Sequence, residues 1–578
     1  VTSSSSEVSP IINVTGSETI GITSGDMNTD PDALDVCKFN VLLNGNADIE
    51  KQLTDFKKAC DDHEKHRRKR CRRRYYQTGV MAQVVGDTSP EELELLLENG
   101  VRTFLIDAVI CMGKEFNILL EYTKRAILKF QMKDFSALLQ VGMTYGIEGD
   151  SLRMGRLHNN FPVMLEKDKV ISLTCDKLYK FQGFKDVAYI YNLELYNKRI
   201  KLNDKLKIGK DIKGKVVKKL FHRIAVMVTE PGILRSYDFI ELPRQCYLTD
   251  LKLAANAFKI HVNRCVVEGF DFIMVPKIRC IQYLKALRSY CQEMGSLGII
   301  ASIDFGFISK EMLDLMGIIK LLDYLWIPNF FNETPAVQKY IYEDVLPITK
   351  CLKKPIIGSV PLERCSDFKR FESHPFLWKL DTILIRKSTW CYKYPIIVKK
   401  LLPIRDFRMG VVDNCMVLHN ILTSYQSIVN FIIRTISSIE CYGIFISCKC
   451  AAAAIALARV EIYCPVYVVL AQEVGTAQSQ RDSNNAMLKL ARSCNLRRNL
   501  RTIIYKPDMN KCELKPIDYG IWYARKHDLL QTGDFVITIE IGKQDANNIQ
   551  YGLDGDVAIL RAFYLPPPNL TEKFKYAH

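Results

Sequence analysis

LKLAANAFKIHVNRCVVEGFDFIMVPKIRCIQYLKALRSYCQEMGSLGIIASI, residues 251–303, changes its hydrophobic period three times. Apolar residues recur at helical spacing from Leu251 to about Glu268, and Phe270–Val275 is then a short continuous apolar run. Helical spacing returns over Ile281–Met294, and Ile299–Ile303 is again continuously apolar. Short apolar runs between amphipathic segments of 14 to 18 residues read as buried strands joined by helices, the pattern of a parallel α/β fold.

The same texture extends in both directions. Upstream, Val80–Val85 reads as a buried strand. Thr88, Ser89, Pro90 and Glu91 form a helix start, Leu93, Leu96 and Leu97 stand at helical spacing, and Gly100 is the stop. Val101–Val109 is the next strand, Glu115–Phe130 a helix, and a further strand is expected at Leu138. Downstream, strands are expected at Tyr324–Ile327, Pro355–Ser359 and Thr382–Ile385. Eight strands suffice to close a (β/α)8 TIM barrel, assembled from residues 75–154 and 243–404. Residues 155–242 break the alternation with an all-β pattern, including Val163–Tyr179 and Arg223–Glu230, with turns at Lys167-Asp168 and Pro231-Gly232. After a helical stretch at Asn414–Ile433, strands at Gly443–Ser447, Val466–Leu470 and Phe535–Ile541 predict a separate C-terminal α/β domain over residues 405–570. The expected fold class is α/β: a TIM barrel with an inserted all-β lid domain and a C-terminal α/β domain.

The 578 residues are 48% hydrophobic and 25% charged, enough for several domains with real cores. Residues 1–74 are the exception, a polar extension expected to be flexible. It ends in KHRRKRCRRR, Lys65–Arg74, eight Lys or Arg in ten residues within a chain of net charge +16. Such a run self-repels and stays solvated unless an acidic surface neutralises it, so Arg67, Arg68, Lys69, Arg70, Arg72, Arg73 and Arg74 are the candidate partner-binding residues. No long uncharged apolar stretch predicts a membrane span, and the Ser-rich start lacks signal-peptide regions, so a cytoplasmic location is expected. The nineteen cysteines are scattered, odd in number and without a CxxC pair, which reads as reduced and mostly buried thiols. Cys448 and Cys450, one residue apart, would share a face in an extended strand but lack a nearby His/Cys pair to complete a zinc tetrahedron.

Four segments carry a resemblance beyond architecture. These are Thr78-Gly79 with the strand and helix ending at Gly100; VMLEKDKVISLTCDKLY at Val163–Tyr179; DFIMVPKIR at Asp271–Arg279; and RVEIYCPVYVV at Arg459–Val469 together with Gly533-Asp534-Phe535-Val536-Ile537. In order and spacing they resemble the pyruvate kinase family, over residues 75 to 565. The resemblance implies a homo-oligomer and phosphoryl transfer from phosphoenolpyruvate to ADP, with magnesium and potassium as cofactors. That chemistry needs cations at the phosphate and a divalent metal on carboxylates.

Carried over residue by residue, the resemblance implies a degenerate site. The family's Lys-Ile-Glu strand end corresponds to Ser302-Ile303-Asp304, so the lysine is lost and Asp304 is a vestigial metal ligand. The second metal carboxylate corresponds to Phe331. The Arg-Leu-Asn-Phe-Ser segment corresponds to Leu105–Val109, which removes the arginine at Leu105 and leaves Asp107. The segment Asp-Thr-Lys-Gly-Pro-Glu-Ile-Arg falls on Gly146–Arg153, which keeps Arg153 as a vestigial cofactor-binding residue. The threonine that assists enol protonation falls near Val360. On the residues' own chemistry, Asp107 and Arg153 can pair across strand ends, and Asp304 can cap the following helix.

The expectation is a catalytically inactive homologue acting as a structural or scaffolding component, with no cofactor and with an acidic protein as a possible partner of the basic run. Two readings compete with it. One is a divergent active pyruvate kinase using magnesium and potassium, with Lys277, Arg279 or Lys310 recruited. The other is nucleic-acid binding through Lys65–Arg74, aided by Arg492, Arg497, Arg498 and Arg501, although aromatic interleaving is missing.

Overall fold

The computed structural model describes residues 11–14, 18–21, 79–386 and 432–566, apart from 112, 134–139, 244–250, 296, 312–313, 329, 353, 361–374, 437, 440, 448–453, 455–463, 472–476, 506–514, 528, 546–547 and 551–556. The chain divides into two compact units, Gly79–Lys133 with Val141–Leu402, and Val1–Thr78 with Asp134–Gln140 and Pro403–His578.

In the first unit eight strands close a barrel: β1 (Gly79–Val84), β2 (Thr103–Asp107), β3 (Gly142–Gly146), β4 (Phe272–Ile278), β5 (Gly298–Ile303), β6 (Tyr324–Ile327), β7 (Ile356–Val360) and β8 (Thr382–Ile385). Every neighbouring pair is parallel, and β8 closes on β1. The strands are buried on both faces, which is why they read as continuous apolar runs. The third strand starts at Gly142 rather than at Leu138, which lies outside the described residues.

The helix after β1 shows the local logic. Ser89 Oγ accepts the Glu92 N–H at 3.2 Å, Pro90 occupies the first turn where no N–H is needed, and Leu93, Leu96 and Leu97 are buried. Gly100 ends it with a φ of 101°.

Between β3 and β4 the chain builds a second closed barrel of seven strands, in the order Lys205–Ile208, Ile212–Leu220, Arg223–Glu230, Val170–Thr174, Val187–Tyr191, Leu152–Met154 and Phe239–Glu241. Its core is aliphatic, with Leu173, Ile190, Ile208, Val216 and Val226 fully buried. The turn expected at Lys167-Asp168 is formed, Asp168 having a φ of 63°, and it separates Val163–Leu165, which pairs with Gly232–Leu234 outside the barrel, from Val170–Thr174 within it; Lys177–Tyr179 is a 3-10 turn. The insert begins at Leu152 rather than at residue 155, because Leu152 and Met154 bury their side chains in its core. Arg153, between them, therefore belongs to the insert.

In the second unit Leu500–Tyr505, Val466–Ala471, Gly443–Ser447 and Phe535–Asp545 form a parallel sheet, to which Val557–Tyr564 adds antiparallel. Alternate residues face opposite cores. Ile444, Ile446, Val466 and Val468 pack with Ala491 and Cys494 of the helix Ala477–Cys494, whereas Phe445, Tyr467 and Val469 pack with Ile517, Tyr523 and Ala524 of Pro516–Lys526. Leu500–Tyr505 falls among the arginines read as an aid to nucleic-acid binding; Arg492, Arg497, Arg498 and Arg501 are each half-buried. Residues 11–14 and 18–21 pair as an antiparallel hairpin within the extension expected to be flexible. The basic run Lys65–Arg74, the 414–431 part of the helical stretch expected at Asn414–Ile433, Cys448 and Cys450 lie outside the described residues. The described cysteines are free thiols, most of them buried, and no described helix is long and apolar enough to cross a membrane.

The crossing from barrel to insert, residues 149–151, is clamped from the insert side. Asn192 Nδ2 donates to Gly149 O and Ser151 O at 2.9 and 3.1 Å, and Tyr196 OH donates to Asp150 O. Gly149 has a φ of +75°, and a Cβ there would lie 2.6 Å from Pro276 O. Gly149→Ala is therefore expected to destabilise the first unit by about 2–4 kcal/mol, read as a lower urea midpoint; an unchanged midpoint would contradict this close approach.

Candidate functional site at the barrel mouth

Strand ends of a parallel barrel converge at its C-terminal face, where loop side chains meet and enzymes of this architecture place their chemistry. Here Asp107 ends β2, Lys277 and Ile278 end β4, Asp304 follows β5, Val360 ends β7 and Arg386 follows β8.

Asp304 is the hub. Its Oδ2 accepts from Arg279 Nε and lies at the same 2.6 Å from Arg279 Nη2; Lys277 Nζ is 3.7 Å away. Its Oδ1 accepts the Phe307 N–H at 3.1 Å, capping the helix Phe305–Glu311 as the sequence chemistry allows. Burial pushes this carboxyl up, but Lys277, Arg279 and the hydrogen bonds from Arg279 and Phe307 outweigh it and hold it below its ordinary value. Arg279 is itself buried, and Asp150 Oδ2 accepts its backbone N–H and that of Cys280 at 3.1 and 2.9 Å. Burial raises the Asp150 carboxyl to about 6 against those two hydrogen bonds.

Lys277 reaches Asp304 because β4 is irregular at its end. The register with β5 shifts between Val275 and Ile278, Pro276 offers no N–H there, and Lys277 adopts a φ of +51°. A lysine in the left-handed region costs about 1–2 kcal/mol, offset here by Glu241 Oε1 at 3.4 Å, by Asp304, and by the Phe239 ring at 5.2 Å. Glu333 completes the acidic surroundings: burial raises its carboxyl, Lys277 opposes this, and Asp304 and Glu241 add to the rise.

Arg153 crosses from the insert to the barrel. Its Nη1 lies 3.8 Å from Asp107 Oδ2, its Nε donates to Tyr237 O at 3.2 Å, and its guanidinium lies 5.4 Å from the Tyr237 and Phe239 rings. Asp107 Oδ1 accepts the Val109 N–H at 2.9 Å. The pair expected across neighbouring strand ends is thus formed between the two barrels of this unit.

The remaining positions singled out by the resemblance offer no charge. Leu105 is 2% and Ser302 1% exposed, and Ser302 Oγ meets only its neighbour's carbonyl, Ile303 O, at 3.5 Å. Val360 ends β7, paired with Ile385. Phe331 packs edge-on against Phe330 and Phe376, whose own rings stack at 4.0 Å. Beyond them, Trp326 Nε1 donates to Ser359 Oγ at 3.0 Å, and the Arg386 guanidinium lies 5.2 Å from the Trp326 ring.

These residues do not fit magnesium. A hard divalent cation needs carboxylate oxygens free to point at it, whereas both oxygens of Asp304 are engaged, one of them by two cationic heads. Gly146 and Ile147, which the resemblance aligns with a potassium-binding Asp-Thr, offer no side-chain ligand, one having no side chain and the other a buried apolar one. Sequence reasoning named Lys277 only as a residue that could be recruited and missed Glu241 and Glu333. The Pro276-Lys277 pair at a strand end was the available signal for a bulge that turns a side chain inward; Glu241 and Glu333 come together only through the fold.

Asp304→Asn is expected to cost about 3–5 kcal/mol, because it leaves Arg279 buried beside a neutral group; urea unfolding measures it, and a cost below 1 kcal/mol would show that the pair is dispensable. Asp150 gives a pH signature. Its folded value, about 6, lies above the unfolded value of about 3.9, so the folded state holds a proton that the unfolded state has released. Its contribution is full below about pH 4 and is lost as pH rises through about 6. Asp150→Asn is expected to remove that part of the slope in stability between these limits; an identical slope in the variant would contradict the assignment.

Compared with known proteins, the chain matches no family model and no curated protein.

Proposed function

We propose that this chain is a pyruvate kinase-like protein that has lost phosphoryl transfer and works as a structural or scaffolding component. The observation that carries the reading is the state of Asp304. The carboxylate that the resemblance makes a metal ligand is held by Arg279, Lys277 and the Phe307 N–H. Ser302 and Leu105 are buried and Phe331 sits in an aromatic cluster, so the positions that the resemblance assigns to the transfer's lysine, arginine and second carboxylate carry none of these groups. Groups that act as a unit in catalysis leave little when several are removed together.

The order of parallel barrel, inserted β-barrel and C-terminal α/β sheet supports the resemblance at the level of architecture. On this reading the chain forms homo-oligomers in the cytoplasm, and Arg67–Arg74 docks an acidic protein surface.

One observation favours the runner-up, a divergent active enzyme: Lys277, strained at a φ of +51°, brings an ammonium to the mouth, and strain of this kind clusters at functional sites. A coupled assay with phosphoenolpyruvate, ADP, magnesium and potassium separates the two. The expected result is no turnover above background for either the native chain or Lys277→Met; turnover that Lys277→Met abolishes would overturn the scaffold reading in favour of a recruited lysine.

A further inference from the structure

Away from the barrel mouth, the insert brings together a thiol, an imidazole and a carboxylate. Among the described residues, Cys175, Glu194 and His222 are the group of three ligating side chains whose donor atoms all lie within 4.8 Å of one another. Three different elements supply them. Cys175 follows the strand Val170–Thr174 and His222 precedes Arg223–Glu230, and the antiparallel register that pairs Thr174 with Arg223 sets the two opposite each other. The Cys175 N–H donates to His222 O at 3.1 Å, which fixes the two backbones. Glu194 lies on the short helix Leu193–Asn197, and Asn197 at its end ties that helix to the same turn by donating from Nδ2 to Leu220 O at 3.0 Å and to Phe221 O. The Phe221 ring meets the His222 ring edge-on at 4.4 Å.

We infer that Cys175, His222 and Glu194 form a binding site for a zinc-class divalent metal ion, with a fourth position open to water. The ligand set is the borderline sulfur, nitrogen and oxygen mixture that such ions prefer over magnesium or calcium. The geometry agrees: metal–sulfur and metal–nitrogen bonds of about 2.3 and 2.0 Å at a tetrahedral angle separate the donors by about 3.5 Å, and Cys175 Sγ lies 3.6 Å from His222 Nδ1. Glu194 and His222 are exposed and Cys175 half-buried, so an ion can enter from solvent. Without metal, burial and Glu194 keep the thiol protonated, its value pushed up to about 11; binding the ion releases that proton to solvent as sulfur becomes a thiolate ligand. An occupied site would clip the Phe221 turn, the strand end and the short helix together. It is independent of the reading of the barrel mouth.

The test is titration of the full chain, reduced and stripped of metal, with Co2+ as a spectroscopic probe and Zn2+ in calorimetry. The native chain is expected to bind one equivalent at this site, with a thiolate-to-cobalt charge-transfer band and tetrahedral d–d bands. Cys175→Ser should remove the charge-transfer band, and His222→Ala or Glu194→Gln should each weaken binding by roughly ten-fold or more. Cys351→Ser, which alters an exposed thiol elsewhere, should leave the spectrum unchanged. Because the altered side chains are exposed or half-buried, melting of the metal-free variants should match the native chain and so separate loss of binding from loss of fold. A band that survives Cys175→Ser, affinity unchanged in His222→Ala or Glu194→Gln, or no saturable binding would each overturn the site.

Discussion

The bond between Arg279 and Asp304 ties the ends of two neighbouring barrel strands and sets the electrostatics of the whole mouth. A buried ion pair adds little net stability over an apolar pair of the same shape, but removing one partner strands a charge in a medium that cannot solvate it. The surroundings are arranged to keep both partners in place. Phe307 donates its N–H to Asp304, Asp150 receives the N–H groups of Arg279 and Cys280, and the Gly149–Ser151 crossing that carries Asp150 is held by Asn192 and Tyr196 of the insert. The insert, the strand end, the ion pair and the next helix thus form one chain of contacts. A carboxylate embedded this way is a structural member, and using it to hold a metal would mean dismantling the network around it.

The barrel was legible because a parallel strand buried on both faces leaves a local signature. Tyr324–Ile327, Thr382–Ile385 and the helix Leu251–Glu268 stand where their apolar patterns put them, and Ser89-Pro90 with Gly100 marked both ends of a helix. The insert was legible only as a class. Its strands are short, its pairs are non-local, and one turn residue, Asp168, decides that Val163–Leu165 and Val170–Thr174 join different sheets. In the C-terminal sheet Leu500–Tyr505 does not read as a strand, because Arg501 and the preceding Arg497 and Arg498 give the stretch a basic character, although Thr502, Ile503 and Ile504 bury in the core.

The site was legible in its residue types and opaque in what surrounds them. That Ser302, Leu105 and Phe331 supply no charge follows from residue type alone. That Lys277 turns inward depends on the bulge after Val275, and the approach of Glu241 and Glu333 depends on how the insert and the β6 loop meet that lysine. The Cys175, Glu194 and His222 cluster has no sequence spacing that resembles a metal motif, since the cross-strand register and the Asn197 tether bring the three together.

The most direct measurement is Mn2+ binding to the Cys175→Ser chain, followed by electron paramagnetic resonance with and without phosphoenolpyruvate. The Cys175→Ser background removes the insert cluster as a competing ligand set. If Asp304 is a structural anchor, free Mn2+ will stay undiminished at every protein concentration in both conditions. Saturable binding at one site, lost in Asp304→Asn with the fold retained, would show instead that the carboxylate still holds a metal and that the mouth remains an active centre.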